Sequence, residues 1–326
     1  MQAVWYDRYG SPDVIEIRTL DKPTPGPDEV LVRVVAASVN PADWHLMRGK
    51  PIFVRLASGF PRPKQHVLGA DAAGVVEAVG DAVTEFKPGD AVFGEIPGRG
   101  SFAEYAIASE AALAHKPERV AFEAAAAAPL AGFTAIQGLR HHGEVKAGDR
   151  VLVNGASGGV GTFAVQYAKS VGAEVTGVCS ARNHEMVASI GADHLIDYHT
   201  SDFTRTGKQY DVIYDAVGNR TPADLARALA PGGRAVIAGY TTFGMLLLTV
   251  ATMRWVSRGG ERWVGMMDTA EPNKADLLVI QDLLASGAVK PVIDRTYPLI
   301  EAADAIRYLE TMRARGKVIL DVGAAA

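Results

Sequence analysis

Val151-Leu152-Val153-Asn154-Gly155-Ala156-Ser157-Gly158-Gly159-Val160-Gly161 is the stretch on which the reading of this chain turns. An apolar, β-branched run enters a glycine-rich turn, and a helix-compatible run, Thr162-Phe163-Ala164-Val165-Gln166-Tyr167-Ala168-Lys169, leaves it. That order aims backbone N–H groups and a helix N-terminus at one point, where a pyrophosphate can sit. Glycines let the backbone turn tightly and approach phosphates without a Cβ in the way. The context that gives such a motif weight is present as well: a strand before, a helix after, then a second strand, Glu174–Cys179. Ser157, Gly158, Gly159 and Val160 are therefore the candidate phosphate cradle.

The tip of the second strand selects the nucleotide. An Asp or Glu there accepts the ribose 2′-hydroxyl of NAD and repels a 2′-phosphate. This chain has Cys179-Ser180-Ala181-Arg182-Asn183 instead, with no carboxylate. Ser180 can donate to a phosphate oxygen and Arg182 can fork around one. Tyr198, after the next strand, is placed to wall the same pocket. By itself Arg182 reads better as a solvated charge at a helix start; with the acid missing as well, NADPH is expected over NADH.

Around this centre the 326 residues suggest two compact units. Hydrophobic residues make up 48% of the chain and mean hydropathy is +0.07, which suits a globular protein with a sizeable core. A net charge of −4, with no dense Lys/Arg run, argues against nucleic acid as a partner. The lone cysteine, Cys179, excludes an intramolecular disulfide and a cysteine-cluster metal site. The first residues lack the basic and apolar stretches of a signal peptide, so a cytoplasmic enzyme is expected. Met245–Met253 is apolar but far shorter than the ~20 residues of a membrane span. It is expected to be a buried helix or a wall of the substrate pocket.

The first ~120 residues read as all-β with many turns. The expected strands are Ala3–Tyr6, Val14–Arg18, Glu29–Ser38, Gly74–Val79, Asp90–Gly94 and Phe102–Ala108. From about Ala124, a helix-favouring run ending at Pro129, helix and strand alternate, which implies a doubly wound parallel sheet. Its strands would be Arg150–Asn154, Glu174–Cys179, His194–Asp197, Val212–Asp215, Arg234–Gly239 and Arg262–Met267. The tail offers a helix (Asn273–Ser286), a strand (Val292–Tyr297), a helix (Leu299–Met312) and a last strand (Lys317–Asp321). As the final strand of the sheet, Arg262–Met267 would be an exposed edge that invites either cover by Tyr240–Ser257 or pairing with a second chain.

Several motifs in sequence order carry a resemblance. They are Met1-Gln2-Ala3-Val4, Tyr9-Gly10-Ser11-Pro12, Ser38-Val39-Asn40-Pro41-Ala42-Asp43, Leu68–Val76, Lys87-Pro88-Gly89-Asp90, Gly100–Tyr105, the glycine turn, and Gly316-Lys317-Val318-Ile319-Leu320. Together they resemble the zinc-free quinone oxidoreductase branch of the medium-chain dehydrogenase/reductase superfamily. The resemblance implies an α/β protein with a GroES-like β-rich catalytic domain, residues 1–124 and 268–326. It also implies an inserted Rossmann NADP-binding domain, residues 125–267, with the active site in the cleft between the two and edge strands paired in a homodimer.

Zinc-containing members of that superfamily hold their metal with a cysteine where this chain has Asn40. A histidine stands where it has Ala70, and usually a cysteine near 129–131. None is present here, so no metal is expected; His66 reads as a loop histidine. Without a Lewis acid, hydride transfer to a quinone or to the double bond of an enone is favoured over alcohol oxidation, because both products spread their charge. The expected catalytic donors are Asn40, facing the nicotinamide ribose or a substrate oxygen, and Thr134, which resembles a family threonine beside the nicotinamide. Each has a local reading too, as a turn residue before proline and as a helix hydroxyl. By resemblance Val217 and Gly218 pass beneath the adenosine side, Gly239, Tyr240 and Met266 approach the nicotinamide, and Lys317 closes over the 2′-phosphate or the cleft. Phe53, Phe60, Phe243, Met245 and Trp255 suggest a pocket for an apolar or aromatic acceptor, or ordinary core. Two alternatives stay open: a zinc-free alcohol, carbonyl or enoyl reductase, and an NADPH-binding protein without catalysis.

Overall fold

The computed structural model describes residues 1–96 and 100–323. In chain order the first part comprises β1 (Gln2–Trp5), β2 (Glu16–Thr19), β3 (Glu29–Val39), α1 (Pro41–Arg48), α2 (Ile52–Ser58), β4 (Asp71–Val79), β5 (Ala91–Glu95), β6 (Tyr105–Ser109), β7 (Leu113–His115) and α3 (Phe122–Ala126). Next come α4 (Pro129–Ile136), β8 (Arg150–Asn154), α5 (Gly159–Val171), β9 (Glu174–Cys179), α6 (His184–Ser189), β10 (His194–Asp197), β11 (Tyr210–Asp215), α7 (Pro222–Ala228), β12 (Leu229–Ile237), α8 (Phe243–Val256) and β13 (Trp263–Met266). The chain ends with α9 (Lys274–Ala285), β14 (Ile293–Pro298), α10 (Ala302–Glu310) and β15 (Lys317–Asp321). No helix among the described residues is long and apolar enough to cross a membrane.

Two compact units result. The first contains residues 1–130, 272–287 and 291–326; the second contains 131–271 and 288–290. Unit 1 is built on a seven-stranded sheet of order β14-β15-β3-β4-β5-β7, with β6 also paired to β3. Its core joins Val32 and Val34 of β3, Val76, Val92, Phe102, Val318 and Leu320 to Ala305 and Ile306 from the inner face of α10. Unit 2 is a six-stranded parallel sheet of order β10-β9-β8-β11-β12-β13. Val151, Leu152 and Val153 are fully buried, as a central parallel strand covered on both faces requires. Chain direction across the sheet reverses between β8 and β11, the switch point at which such sheets bind ligands.

The expectation of an all-β first segment is corrected by α1 and α2. The start of α1 obeys local rules: Pro41 takes the first helical position, and the Asp43 carboxylate accepts the N–H of Asn40 at 2.7 Å. Gly49, at φ 57°, ends it. The run Ala124–Ala128 also divides differently from expectation. α3 stops at Ala126, and Pro129 begins α4 rather than terminating a helix.

A larger correction concerns Met245–Met253. It lies in α8, but that helix is mostly exposed: Phe243, Leu247, Leu248, Val250 and Trp255 all stand out from it, and only Thr249 is buried. Phe53 and Phe60 are likewise exposed, so neither is core. β13 ends the sheet as expected, yet its edge is partly closed. The Ser257 hydroxyl accepts the Val264 N–H at 3.0 Å, and its one hydrogen is shared between the Met253 carbonyl at 2.9 Å and the Val264 carbonyl at 3.2 Å.

Candidate active site

In unit 2 the predicted residues gather at the C-terminal ends of the parallel strands. β8 ends at Asn154, and Gly155 turns the chain at φ 85°. Its N–H and that of Ala156 both reach the Val178 carbonyl at 3.1 Å, which ties the turn to the neighbouring strand. Gly158 precedes α5 and has no side chain to cap it, so the first-turn N–H groups of Gly159, Val160 and Gly161 are left for an external acceptor. Gly161 is required by packing: a Cβ there would lie 2.0 Å from the Gly155 carbonyl oxygen. The motif thus seats the positive end of α5 against the turn.

Ser157 is held from outside the motif. The Asn183 side-chain amide donates to its hydroxyl at 2.9 Å, so the Ser157 O–H hydrogen is left to donate elsewhere. Ser180, at the end of β9, is buried and opens the helical turn Ala181–Asn183, on which Arg182 is exposed. Tyr198 is exposed too and packs against His199. Opposite Cys179 in register lies Asp197 of β10, whose carboxylate accepts the His199 N–H at 3.0 Å.

Across the switch point, the Asn154 amide donates to Asp215 at 2.8 Å. The same Asp215 oxygen accepts the N–H groups of Val217 and Gly218 at 3.0 and 2.9 Å. Burial pushes the Asp215 carboxyl up, and its other oxygen has no partner among the described residues. Gly218 adopts φ 65°, and a Cβ on it would meet the Gly239 carbonyl at 2.0 Å. Val217, Gly218, Gly239 and Tyr240 are therefore one contiguous feature, with Met266 at the end of the adjacent β13. Thr134 is half-buried on α4, and its carbonyl accepts the Tyr214 hydroxyl at 3.0 Å.

Asn40 and Lys317 belong to unit 1, and both depart from expectation. Asn40 precedes α1 as its N-cap residue and forms a capping box with Asp43. One amide hydrogen goes to the Ser38 carbonyl at 3.1 Å and the other to Asp71 at 2.9 Å. Its oxygen accepts the Lys317 ammonium at 2.5 Å. Both N–H bonds are taken, so Asn40 is not the hydrogen-bond donor it was expected to be. The local reading has support, since Asn40 and Asp43 form a capping box at the start of α1.

Lys317 is only 4% exposed, with its ammonium 3.7 Å from Asp71. It is an interior cation, which corrects the expectation that it closes over a 2′-phosphate. Asp71 also accepts the Leu130 N–H at 3.0 Å, and Asp43 accepts the Gly69 N–H at 3.1 Å. Burial raises the Asp43 carboxyl to about 7 and that of Glu95, the residue facing Asp71 on β5, to about 8. Asp71 and Glu95 were missed at the sequence level. Their signal was an acid at one terminus of an apolar β-run, Asp71 at the start of β4 and Glu95 at the end of β5, where a turn residue reads just as well.

Comparison with known proteins agrees with this geometry. The family model for the alcohol dehydrogenase GroES-like domain matches residues 26–118, and that for zinc-binding dehydrogenases matches 190–320. A 2-methylene-furan-3-one reductase of Solanum lycopersicum is 37% identical over 333 residues, covering 98% of this chain and 79% of the relative. The chain belongs to the medium-chain dehydrogenase/reductase superfamily. Among its relatives in that superfamily, the chloroplastic NADPH-dependent alkenal/one oxidoreductase of Arabidopsis thaliana is 36% identical, over 98% of this chain and 79% of its own length. The solved structure of the quinone oxidoreductase from Coxiella burnetii superposes with a TM-score of 0.86 at 30% identity, covering 99% of both chains. The superfamily's two-part architecture, a GroES-like portion and a parallel-sheet portion, is the one described above.

Proposed function

We propose that this protein is an NADPH-dependent oxidoreductase that delivers hydride to quinones or to the activated double bond of α,β-unsaturated carbonyl compounds. The observation that carries the reading is the uncapped first turn of α5 behind Ser157–Val160, at the switch point of the parallel sheet. Relatives described as an NADPH-dependent alkenal/one oxidoreductase and as a quinone oxidoreductase support it. The residues fit the cofactor: first-turn N–H groups and the Ser157 hydroxyl would hold a diphosphate, and Ser180 and Arg182 stand in place of the acid that would exclude a 2′-phosphate. Val217, Gly218, Gly239, Tyr240 and Met266 would line the remaining length, and Thr134 would stand beside the nicotinamide. NADPH supplies the hydride; this chain's residues hold it, exclude bulk water and meet the charge that develops on the acceptor.

The reaction is proposed to be independent of zinc. Zinc sites use cysteine, histidine and carboxylate ligands with satisfied geometry. At the position in question Asn40 has its amide bonded away, Ala70 has no ligand atom, and the Lys317 ammonium occupies the neighbourhood with like charge. That donor set does not fit the metal. Quinone and enone reduction suit such a site, because the phenolate or enolate produced delocalises its charge and needs no Lewis acid.

A homodimer is also proposed. Its support is the exposed apolar face of α8, with Phe243, Leu247, Leu248, Val250 and Trp255, beside the last strand β13. Pairing through the β13 edge has weaker support, since the Ser257 hydroxyl already accepts the Val264 N–H.

The functional test is an acceptor screen that follows NADPH absorbance with quinones, enones, aldehydes and alcohols plus NADP. Fastest oxidation by a quinone or enone is expected. Turnover confined to simple alcohols or aldehydes would replace the proposal with carbonyl chemistry, and binding of NADPH without turnover would leave a non-catalytic role.

A further inference from the structure

Between α1 and β4, unit 1 turns apolar side chains outward. On α2, Ile52, Phe53 and Leu56 share one face by helical spacing and are 65%, 47% and 79% exposed, and Phe60 just beyond is 70% exposed. No residue of α2 is buried. The inward contacts are polar instead. The Tyr9 hydroxyl donates to the Gly59 carbonyl at 2.6 Å, and the Arg55 Nε donates to the Gly49 carbonyl at 3.1 Å. The Arg55 guanidinium lies 4.7 Å from the centre of the Tyr9 ring. Ser58 donates to the Val54 carbonyl at 2.7 Å, and its own carbonyl accepts the Lys64 N–H at 2.8 Å. These bonds tie the backbone of the segment to Tyr9 and to itself, so the outward direction of its apolar side chains is a property of the fold.

The charge of this stretch is as one-sided as its exposure. Residues 44–70 include five Lys and Arg and no Asp or Glu, in a chain whose net charge is −4. Arg48 is paired with Glu310, and Arg55 is occupied by Gly49 and Tyr9. Lys50, Arg62 and Lys64 are exposed, and their side chains have no ion pair or hydrogen bond among the described residues. An exposed apolar face flanked by unpaired cations, with no acid, has the composition of a segment that lies in the headgroup region of an anionic bilayer. Apolar tips leave water for the acyl boundary, while long cationic side chains reach the lipid phosphates. A second copy of this chain suits the face poorly, because a two-fold contact would set the patch on itself, cation against cation.

We propose that residues 50–64 form a peripheral docking surface for anionic phospholipid membranes. The occupant is the bilayer itself, with Ile52, Phe53, Leu56 and Phe60 entering the interface and Lys50, Arg62 and Lys64 meeting the headgroups. The inference goes beyond the reductase reading and does not depend on it. Where both hold, docking brings the chain to acceptors that partition into lipid.

The test sediments the full chain with vesicles of phosphatidylcholine alone and of phosphatidylcholine mixed with phosphatidylserine, at low and high salt. Binding to the mixed vesicles is expected, weaker in high salt and weaker on phosphatidylcholine alone. Lys50→Gln/Arg62→Gln/Lys64→Gln and, separately, Phe53→Ser/Leu56→Ser/Phe60→Ser should each weaken it by about 100-fold. All six side chains are exposed, so Tm is expected to stay at the wild-type value. A second readout needs neither triple variant. The single native cysteine is buried, so Leu56→Cys carries a polarity-sensitive dye at one site, and its emission should shift to the blue on the mixed vesicles. No binding to the mixed vesicles, binding that survives the apolar variant unchanged, or an unshifted dye overturns the proposal. Retention on immobilised poly-glutamate as strong as on vesicles, and indifferent to Phe53, Leu56 and Phe60, would assign the cations to an acidic macromolecule and overturn the membrane assignment.

Discussion

Gly161→Ala tests the cofactor cradle most directly. An added Cβ would sit 2.0 Å from the Gly155 carbonyl oxygen, 2.8 Å from its carbon and 3.0 Å from the Ala156 Cα, all backbone atoms that no rotamer change can move. To reach 3.4 Å, where contact becomes ordinary, the start of α5 must retreat from the turn by about 1.4 Å. Overpacking of this kind costs about 1–3 kcal/mol, and alanine's better helix propensity returns up to ~1 kcal/mol. A net loss of about 1–2 kcal/mol corresponds to roughly 2–8 °C in Tm for a unit of this size. The same retreat misaligns first-turn N–H groups. Loss of one charge-assisted hydrogen bond, about 1.5–3 kcal/mol, weakens NADPH binding by about 10- to 100-fold. Gly158→Ala is the control: its φ of −83° suits alanine and the nearest heavy atom to the added Cβ is 3.5 Å away. It should leave Tm unchanged, while NADPH binding falls if phosphate approaches that Cα. Thermal melts and fluorescence titration with NADPH report the two effects separately. Wild-type Tm and affinity in Gly161→Ala, or equal destabilisation by Gly158→Ala, would refute the packing argument.

Other outcomes follow from the same geometry. Arg182→Ala should weaken NADPH binding by ~1–3 kcal/mol and spare NADH; an equal loss for both nucleotides would remove Arg182 from the 2′-phosphate site. Elemental analysis should find no stoichiometric zinc, and one zinc per chain whose removal abolishes activity would overturn the mechanism. Light scattering at micromolar concentration should give about twice the 34.5 kDa chain mass, whereas 34.5 kDa itself rules out the dimer. Burial holds the Glu95 carboxyl up at about 8, so the folded state keeps a proton that the unfolded chain releases from about pH 4.5 upward. Its contribution is therefore complete below the unfolded value and is lost as pH rises toward 8, at up to ~1.4 kcal/mol per unit. Glu95→Gln should flatten that loss in urea unfolding between pH 5 and 9; parallel profiles for variant and wild type would show that Glu95 does not titrate with folding.

The sequence alone determined the parallel sheet and its glycine turn. β8, β9, β10 and β15 begin and end where the residues predict. For the buried strands β8, β9 and β15 the reason is a continuous apolar run that turn residues bound locally, and β10, at the sheet edge, is bounded by its turns alone. The phosphate cradle was legible for the same reason: its glycines, strand and helix are neighbours in the chain, as are the short-range contacts that fix their roles. Tertiary structure alone decided what Asn40 and Lys317 do. Their common partner Asp71 lies 31 positions from Asn40, and Lys317 lies 277 positions away, so no window of sequence holds the three together. A side chain's hydrogen bonds depend on which donors and acceptors the fold brings within 3 Å, and residue type sets only its capacity to make them. α8 makes the same point for burial. Its apolar composition suggested a covered helix, but exposure is set by what packs against a face, and most of that face has no cover within the described chain.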